Sequence, residues 1–145
     1  MKRNFLLSAI AMGLLVMCMS FSTKAQTNHV FHVATFYMAG NMDSAARAES
    51  VATFKEYMTK VTMKNQYIVH QTNMVHFFTE DSREFVIVTE YANWGDIEKS
   101  FDLDNELEKQ AWPDAAKRAA FMKKMSSYFT HHKDAIFSGL PGLTK

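Results

Sequence analysis

Apolar and polar positions follow two different periods along the chain, and the change of period separates strands from helices. Residues 30–38 and 84–91 are rich in β-branched and aromatic side chains and predict strands, as do residues 67–79. The short polar segment 80–83 lies between the strands predicted at 67–79 and 84–91, and it predicts that the two form an antiparallel hairpin. Residues 85–88 are apolar at consecutive positions, which is typical of a strand that is covered on both faces.

Helices are predicted where apolar residues recur at spacings of three and four. The first has Asp43 or Ser44 as its N-cap, and Asn93 is the expected N-cap of the second. Pro113 divides the second helical segment, because proline suits the first turn of a new helix. The apolar stripes of the first and third helices are Val51, Phe54, Met58 and Val61, and Phe121, Met125 and Phe129. Residues 132–138 predict a last strand.

The predicted order is therefore strand, helix, strand, strand, helical segment, strand. This is the β-α-β-β-α-β arrangement of a ferredoxin-like α+β domain with an antiparallel sheet, in which the second helical segment is split near Pro113. The length of 145 residues suits one domain. Helices can cover one face of such a sheet, and the other apolar face needs a different cover.

The first 25 residues have the pattern of a secretory signal peptide. Lys2 and Arg3 precede an apolar stretch, and Thr23 and Ala25 occupy the small-residue positions before a cleavage site at Gln26. The alternative is an uncleaved transmembrane helix, for which the apolar stretch is short. We therefore expect residues 26–145 to form a single secreted or periplasmic domain, with no membrane association after cleavage.

Cleavage would also change the composition of the chain. Cys18 is the one cysteine and would leave with the signal, so the domain would have no disulfide; Met17 before it argues against lipid attachment. Loss of Lys2, Arg3 and Lys24 leaves 13 basic residues against 15 acidic ones. This charge balance argues against a nucleic-acid partner.

The element order, the hairpin ending in Val88-Thr89-Glu90-Tyr91, the turn at Trp94 and the closing segment Thr130 to Ile136 together resemble the dimeric α+β barrel superfamily. More narrowly, the chain is similar to small secreted members from Bacteroidetes-type bacteria. The resemblance covers residues 30 to about 138. It implies a homodimer in which two sheets face one another, and that arrangement would cover the second apolar face.

The superfamily includes cofactor-independent monooxygenases related to antibiotic biosynthesis and haem-degrading enzymes. The haem-degrading type has an Asn on the first strand, a Trp on the third and a His on the second helix. Here residues 30–38 contain no Asn, Trp94 follows the third strand, and residues 95–129 contain no His. We therefore expect no cofactor, and the resemblance contributes no catalytic residue.

Histidines are the first candidates for a site. His70 and His76 have even spacing on the second strand and share one face with Ile68, and His32 could face the same space and help to hold a metal or an anionic ligand. Alternatively they are separate edge or interface residues, because six residues of strand span about 20 Å at ~3.3 Å per residue. We favour the alternative and predict no metal site. Candidates for a ligand pocket are His32, His70, His76, Tyr91 and Trp94.

His131, His132 and Asp134 form the densest group of polar candidates. Adjacent strand residues point to opposite faces, so His132 and Asp134 form the best functional pair, as base and orienting acid. These residues could instead bind Zn²⁺ or Cu²⁺, or the histidines could complement the dipole of a helix C-terminus, which is the interpretation that we favour. Tyr37 could add a phenolic donor. Trp94 is either a stacking platform for a planar ligand or a plug at the end of the core.

Three hypotheses of function remain open. The first is a binding module that holds a small apolar or aromatic ligand between sheet and helices. The second is a cofactor-independent oxygenase or isomerase acting on an aromatic compound, with His132, Asp134, Tyr37 and Trp94 near the chemistry. The third is a dimer with a purely structural or interaction role. A cavity of about 300 Å³ or more would favour the first two.

Overall fold

A computed structural model of the chain describes residues 28–40, 42–78 and 80–140. The four strands are β1 (Val30–Met38), β2 (Ile68–Val75), β3 (Glu84–Tyr91) and β4 (Phe129–Ser138). The three helices are α1 (Ser44–Lys60), α2 (Gly95–Ala111) and α3 (Ala115–Ser127), and a short 3-10 turn covers Thr62–Lys64. The predicted signal peptide and its cleavage site lie outside the described residues.

The strands form one antiparallel sheet in the order β2-β3-β1-β4. The element order is β-α-β-β-α-α-β, so the predicted ferredoxin-like α+β fold is confirmed, with the second helical segment split as expected. Both β1 and β3 have the predicted bounds. Within the described ranges, no helix has the length and apolar character needed to cross a membrane.

The ends of β2 and β4 differ from prediction. β2 stops at Val75, and the following Phe77 and Phe78 are each 96% exposed. β4 begins at Phe129, which was predicted as the last apolar residue of the third helix. Its ring packs against Phe36 and Phe54 with ring centres 4.9 and 5.4 Å apart. Phe129 therefore packs in the core as predicted, but it does so from a strand and not from a helix.

Helix starts follow local side-chain chemistry. Asp43 caps α1 as predicted, since its Oδ1 accepts the Ala46 N–H at 2.8 Å. Asn93 was predicted to cap α2, but its amide instead donates to Asp96 Oδ2 at 2.7 Å, and α2 begins without a side-chain cap. Pro113 stands one residue before the true N-cap of α3, which is Asp114.

The two faces of the sheet have different surroundings. One face borders a cavity to which all three helices contribute side chains, and we call it the helix face. The helix face carries His32, Ala34, Phe36, Gln71, Asn73, Ile87, Thr89, Tyr91, His132 and Asp134. We call the opposite face the open face, because no described helix covers it; it carries Phe31, Val33, Tyr37, Thr72, Met74, Val86, Val88, His131, Lys133, Ala135 and Phe137.

The predicted apolar stripe of α1 faces the sheet, but the burial along it differs from prediction at Val51. Val61 at its end is fully buried, but Val51 is 62% exposed, while Ser50 and Thr53 are buried. The hydroxyl groups of both donate to backbone carbonyls of the helix, Ser50 to Arg47 and Thr53 to Glu49. Because these bonds satisfy the hydroxyls, the helix can turn small polar side chains toward the core.

Candidate functional site

A cavity of about 340 Å³ lies between the helix face and the three helices. Its sheet wall is formed by His32, Ala34, Phe36, Ile68, Gln71, Asn73, Ile87, Thr89 and Tyr91. Its helix wall includes Phe54, Tyr57, Met58, Phe101, Asp104 and Met125. The volume falls within the range of about 300–1,000 Å³ that is usual for small-molecule sites.

A second cavity, of about 320 Å³, adjoins the first. Both are lined by Phe54, Met58, Asn73 and Phe129, so the two share a boundary. The second is mostly apolar, and its other walls include Met38, Val51, Val75 and Phe85. We call the two cavities together the cleft. Val51 is therefore exposed because it stands on the wall of an open apolar space.

Two amide side chains on β2 donate hydrogen bonds inside the cleft. The Nε2 of Gln71 donates to Met58 Sδ at 3.1 Å and to Asn73 Oδ1 at 3.1 Å. The Nδ2 of Asn73 also donates to Met58 Sδ, at 3.4 Å. A thioether is a weak acceptor, so an oxygen atom of a ligand would be a better partner for these N–H groups.

A buried polar group lies at the end of the cleft where α1 and α2 meet. Asn65 donates to Asp104 Oδ1 at 2.7 Å and to the Ser100 carbonyl at 2.9 Å. Burial raises the pKa of the Asp104 carboxyl above its usual range, although the Asn65 bond opposes the rise. Tyr57 donates to Glu108 Oε1 at 2.9 Å, and burial also raises the pKa of Tyr57.

Three polar side chains form a chain of contacts across β1 and β4 on the helix face. The Nε2 of His32 lies 2.9 Å from Asp134 Oδ1, and the Nε2 of His132 lies 3.1 Å from Asp134 Oδ2. The structure thus brings together the predicted pair of His132 and Asp134 and adds His32. The alternative of a helix C-terminus is wrong, because both residues lie within β4.

The chain of three does not make a metal centre. In the described part of the molecule, no group of three or more His, Cys, Asp or Glu side chains has an arrangement that could hold a metal ion. His32 lines the larger cavity, whereas His132 and Asp134 are exposed at the edge strand. The His132 ring stacks on Phe36, with ring centres 5.1 Å apart.

His32 and His70 lie on opposite faces of the sheet, so the alternative of one site formed by these histidines, which we did not favour, is wrong. His32 is opposite Thr89 on the helix face, whereas His70 is opposite Glu90 on the other face. A bulge between Ile68 and His70 causes the difference, since it also puts Ile68 on the cavity side, away from His70. His70 is exposed, hydrogen-bonds to Thr72 at 3.0 Å, and lines a separate open cavity of about 340 Å³ beside Met58 and Gln71.

Tyr37 does not join His132 and Asp134. It lies on the open face, where its ring stacks on His131 with centres 4.2 Å apart and Lys133 Nζ lies 5.3 Å from its centre. Tyr37 of β1 is opposite His131, and His131 faces the other side of the sheet from its neighbour His132. The predicted grouping of Tyr37 with His132 and Asp134 is therefore wrong.

The remaining candidates have separate positions. Tyr91 is 3% exposed and lines the larger cavity. His76 follows β2, where its N–H donates to the Glu84 carbonyl at 3.1 Å, and neither cavity of the cleft includes it. Trp94 is 65% exposed beside a smaller hollow of about 220 Å³, so it neither plugs the core nor lines the cleft.

Sequence reasoning missed several residues of the cleft, chiefly Gln71, Asn73, Tyr57 and Asp104. Gln71 and Asn73 alternate with Thr72 and Met74 along β2, a strand pattern that gives two polar residues to one face. That alternation was the available signal. Asp104 gave no such signal, because one carboxylate in an acidic helix is usually on the solvent side.

Comparison with known proteins identifies the fold class. No protein-family model matches the sequence, and no curated protein matches it. Solved structures do match, and they share the ferredoxin-like α+β fold of cofactor-independent oxygenases and of proteins without an assigned function. The chain is similar to them in fold at very low sequence identity.

SnoaB, a cofactor-independent oxygenase from Streptomyces nogalater, superposes with a TM-score of 0.53 and 12% identity, covering 81% of this chain and 99% of SnoaB. A conserved protein from Methanosarcina mazei gives a TM-score of 0.53 and 9% identity, covering 79% of this chain and 96% of its own. A putative antibiotic biosynthesis monooxygenase from Bacteroides thetaiotaomicron gives 0.51 and 11%, covering 81% and 96%.

Proposed function

We propose that the protein binds a small aromatic or other largely apolar ligand that carries a carbonyl or phenolic oxygen, and that the cleft is the binding site. The observation that carries this proposal is the cavity of about 340 Å³, with apolar walls and convergent polar groups. Its rings and aliphatic side chains suit a planar apolar body. A purely structural dimer would have no need of such a space.

The amide groups of Gln71 and Asn73 support the oxygen in the proposed ligand. Both donate to Met58 Sδ within the cavity wall. A ligand oxygen that replaces the sulfur gains stronger hydrogen bonds than the thioether provides. The ligand would lie with its oxygen toward β2 and its rings against Phe36, Phe54 and Ile87.

An enzyme of the oxygenase or isomerase type is the second candidate. It is favoured by the hydrogen bond of 2.9 Å between Asp134 and His32, which lines the cavity. SnoaB, which has a similar fold, is described as a cofactor-independent oxygenase, and this likeness supports the same class. Binding comes first in either case, because an enzyme of this kind must hold its substrate in the cleft.

The open face supports the proposal that the protein is a homodimer. Val33, Val88 and Ala135 lie opposite one another across three strands and give the face an apolar centre. Phe137, on the same face, is 56% exposed, although large apolar patches are uncommon on monomers. We infer that the open face of a second copy covers it.

Secretion through residues 1–25 is a further part of the proposal, which N-terminal sequencing of exported protein would check.

Binding can be tested with 1-tetralone, a bicyclic aromatic ketone, titrated into the protein by NMR. The substitution Met58→Trp fills the space shared by the two cavities and should raise the Kd for 1-tetralone at least tenfold, about 1.4 kcal/mol. The matched control is Thr59→Trp, since Thr59 is the next residue of α1 and is exposed. That variant should bind like the wild type.

A second comparison tests the role of the oxygen. Tetralin has the same rings without the carbonyl group, so it should bind more weakly than 1-tetralone if Gln71 and Asn73 donate to the ligand. Equal binding of both compounds would contradict the proposed hydrogen bonds. No saturable binding of 1-tetralone, or equal loss in Met58→Trp and Thr59→Trp, would overturn the cleft as the site.

A further inference from the structure

His32 has a place in the cleft that ligand binding alone does not require. Its ring lines the larger cavity, and 19% of its side chain is exposed. The ring of Phe101 from α2 meets it edge-on, with ring centres 6.4 Å apart. An imidazole is therefore held between the sheet and α2, on the wall of an apolar space.

The hydrogen bond to Asp134 determines what this imidazole can do. With the Nε2–H of His32 donated to Asp134 Oδ1 at 2.9 Å, the Nδ1 atom carries the lone pair and is the basic atom of the ring. A proton taken at Nδ1 creates an imidazolium, whose charge the carboxylate stabilises. The Nε2 of His132 lies 3.1 Å from the other oxygen of the same carboxylate.

The register puts this base on the same wall as the proposed oxygen site. His32, Thr89 and Gln71 lie opposite one another on three neighbouring strands, β1, β3 and β2. His32 and Gln71 are thus two strands apart, about 10 Å at the usual spacing of ~4.8 Å. A ketone whose oxygen is held from the Gln71 side would extend its neighbouring C–H groups toward His32.

We propose that His32 is the general base for proton transfer on an enolisable aromatic ketone in the cleft, with Asp134 as its positioning residue. This inference rests on the proposed binding function. His32 Nδ1 takes a proton from the carbon beside the carbonyl group, and the C–H electron pair moves into an enolate whose charge rests on oxygen. The N–H then returns the proton to that carbon or to a conjugated one. The result is exchange or isomerisation, which consumes no oxidant.

Hydrogen exchange of 1-tetralone in D₂O tests the proposal, because each exchanged proton beside the carbonyl adds deuterium that NMR detects. The wild-type protein should accelerate the exchange above the buffer rate. The substitution His32→Gln keeps a donor toward Asp134 but removes the base, so the rate at saturating ketone should fall at least about 100-fold. The Kd for 1-tetralone should stay close to the wild-type value.

Two further variants separate the roles. Asp134→Asn should lower the rate at saturating ketone while the Kd is unchanged, which a loss of folding would not do. His131→Gln is the matched control on the open face, where His131 lines neither cavity of the cleft, and it should exchange the ketone at the wild-type rate. Binding without accelerated exchange, or full exchange in His32→Gln, would overturn the base while leaving the binding function intact. Absence of binding would overturn both.

Discussion

The two faces of this sheet are built by the same four strands but differ in what they present. The helix face combines apolar residues with a polar row of Gln71, Thr89 and His32, and it borders a cavity of about 340 Å³. In the open face, Val33 and Val88 lie at the centre, and no described helix covers them. This contrast is the basis for proposing a small-molecule ligand on the helix face and a second copy of the chain on the open face.

Neighbouring residues of β4 show how sharply the faces are divided. His131 stacks on Tyr37 over the open face, with ring centres 4.2 Å apart. His132 stacks on Phe36 over the helix face, and its Nε2 lies 3.1 Å from Asp134 Oδ2. A shift of one residue in the register would exchange these environments, so the position of each candidate depends on strand pairing.

The largest expected effect tests the open face as a dimer interface. Val33→Glu puts a carboxylate at the centre of each open face, where dimerisation would bury it without a partner at a cost of about 3 kcal/mol or more. The dimer Kd should rise at least about 100-fold. Analytical ultracentrifugation measures this change, with the exposed Thr59→Glu on α1 as the control. A wild-type monomer, or a Val33→Glu dimer as tight as the wild type, would contradict the interface.

The second-largest expected effect is on the free energy of unfolding when one aromatic residue of either face is replaced by alanine. Both replacements are made in the Val33→Glu variant, so that the monomer is compared. Phe129 packs among Phe36, Phe54 and Phe85, so Phe129→Ala should lower the free energy of unfolding by about 3 kcal/mol. Phe137 is 56% exposed, and Phe137→Ala should cost less than about 1 kcal/mol in the monomer. Urea unfolding measures both. Equal losses would mean that the open face is part of the monomer core.

The fold was largely predictable, because strand composition and periodicity are local properties. The pattern of β-branched and aromatic residues gave the correct bounds of β1 and β3. It failed at one position of α1, where hydropathy predicted a buried Val51, although the neighbouring Ser50 and Thr53 are the buried side chains. The hydrogen bonds from their hydroxyls to helix carbonyls make that orientation possible, and hydropathy does not include them.

The candidate site was only partly predictable. Spacing within one strand pairs His132 with Asp134, since residues two apart share a face, but the helix C-terminus that we favoured for this segment is wrong. The third member, His32, is distant in sequence and joins them through the register of β1 against β4. The bulge after Ile68 likewise decides which residues of β2 face the cleft. Register and bulges arise from tertiary packing, so neither could be derived from local patterns.

The smallest expected effect concerns the pH dependence of stability, and it distinguishes a buried carboxyl from an exposed one. Burial raises the pKa of Asp104, so the folded chain keeps this proton at pH values where the unfolded chain has lost it. The resulting stability is fully present below the ordinary value of 3.8 and is lost as the pH rises through the folded pKa. Between the unfolded and folded pKa values, one proton changes the free energy of unfolding by at most about 1.4 kcal/mol per pH unit. The loss of stability caused by Asp104 should be a fraction of that amount. Asp104→Asn keeps an acceptor for Asn65 and should flatten this decline in urea-unfolding curves.

Asp81, beside the open face, should show the opposite sign and serves as the internal comparison. Its hydrogen bonds from Arg83 lower its pKa from 3.8 to about 2. Its contribution to stability is therefore present above pH 3.8 and is lost as the pH falls toward 2. Because Asp81 is on the surface, added salt should reduce its effect, whereas the effect of Asp104 should persist. A salt-sensitive pH dependence for Asp104 would mean that water reaches the polar end of the cleft as freely as it reaches Asp81. The comparison between a sheltered and an exposed carboxyl would then fail.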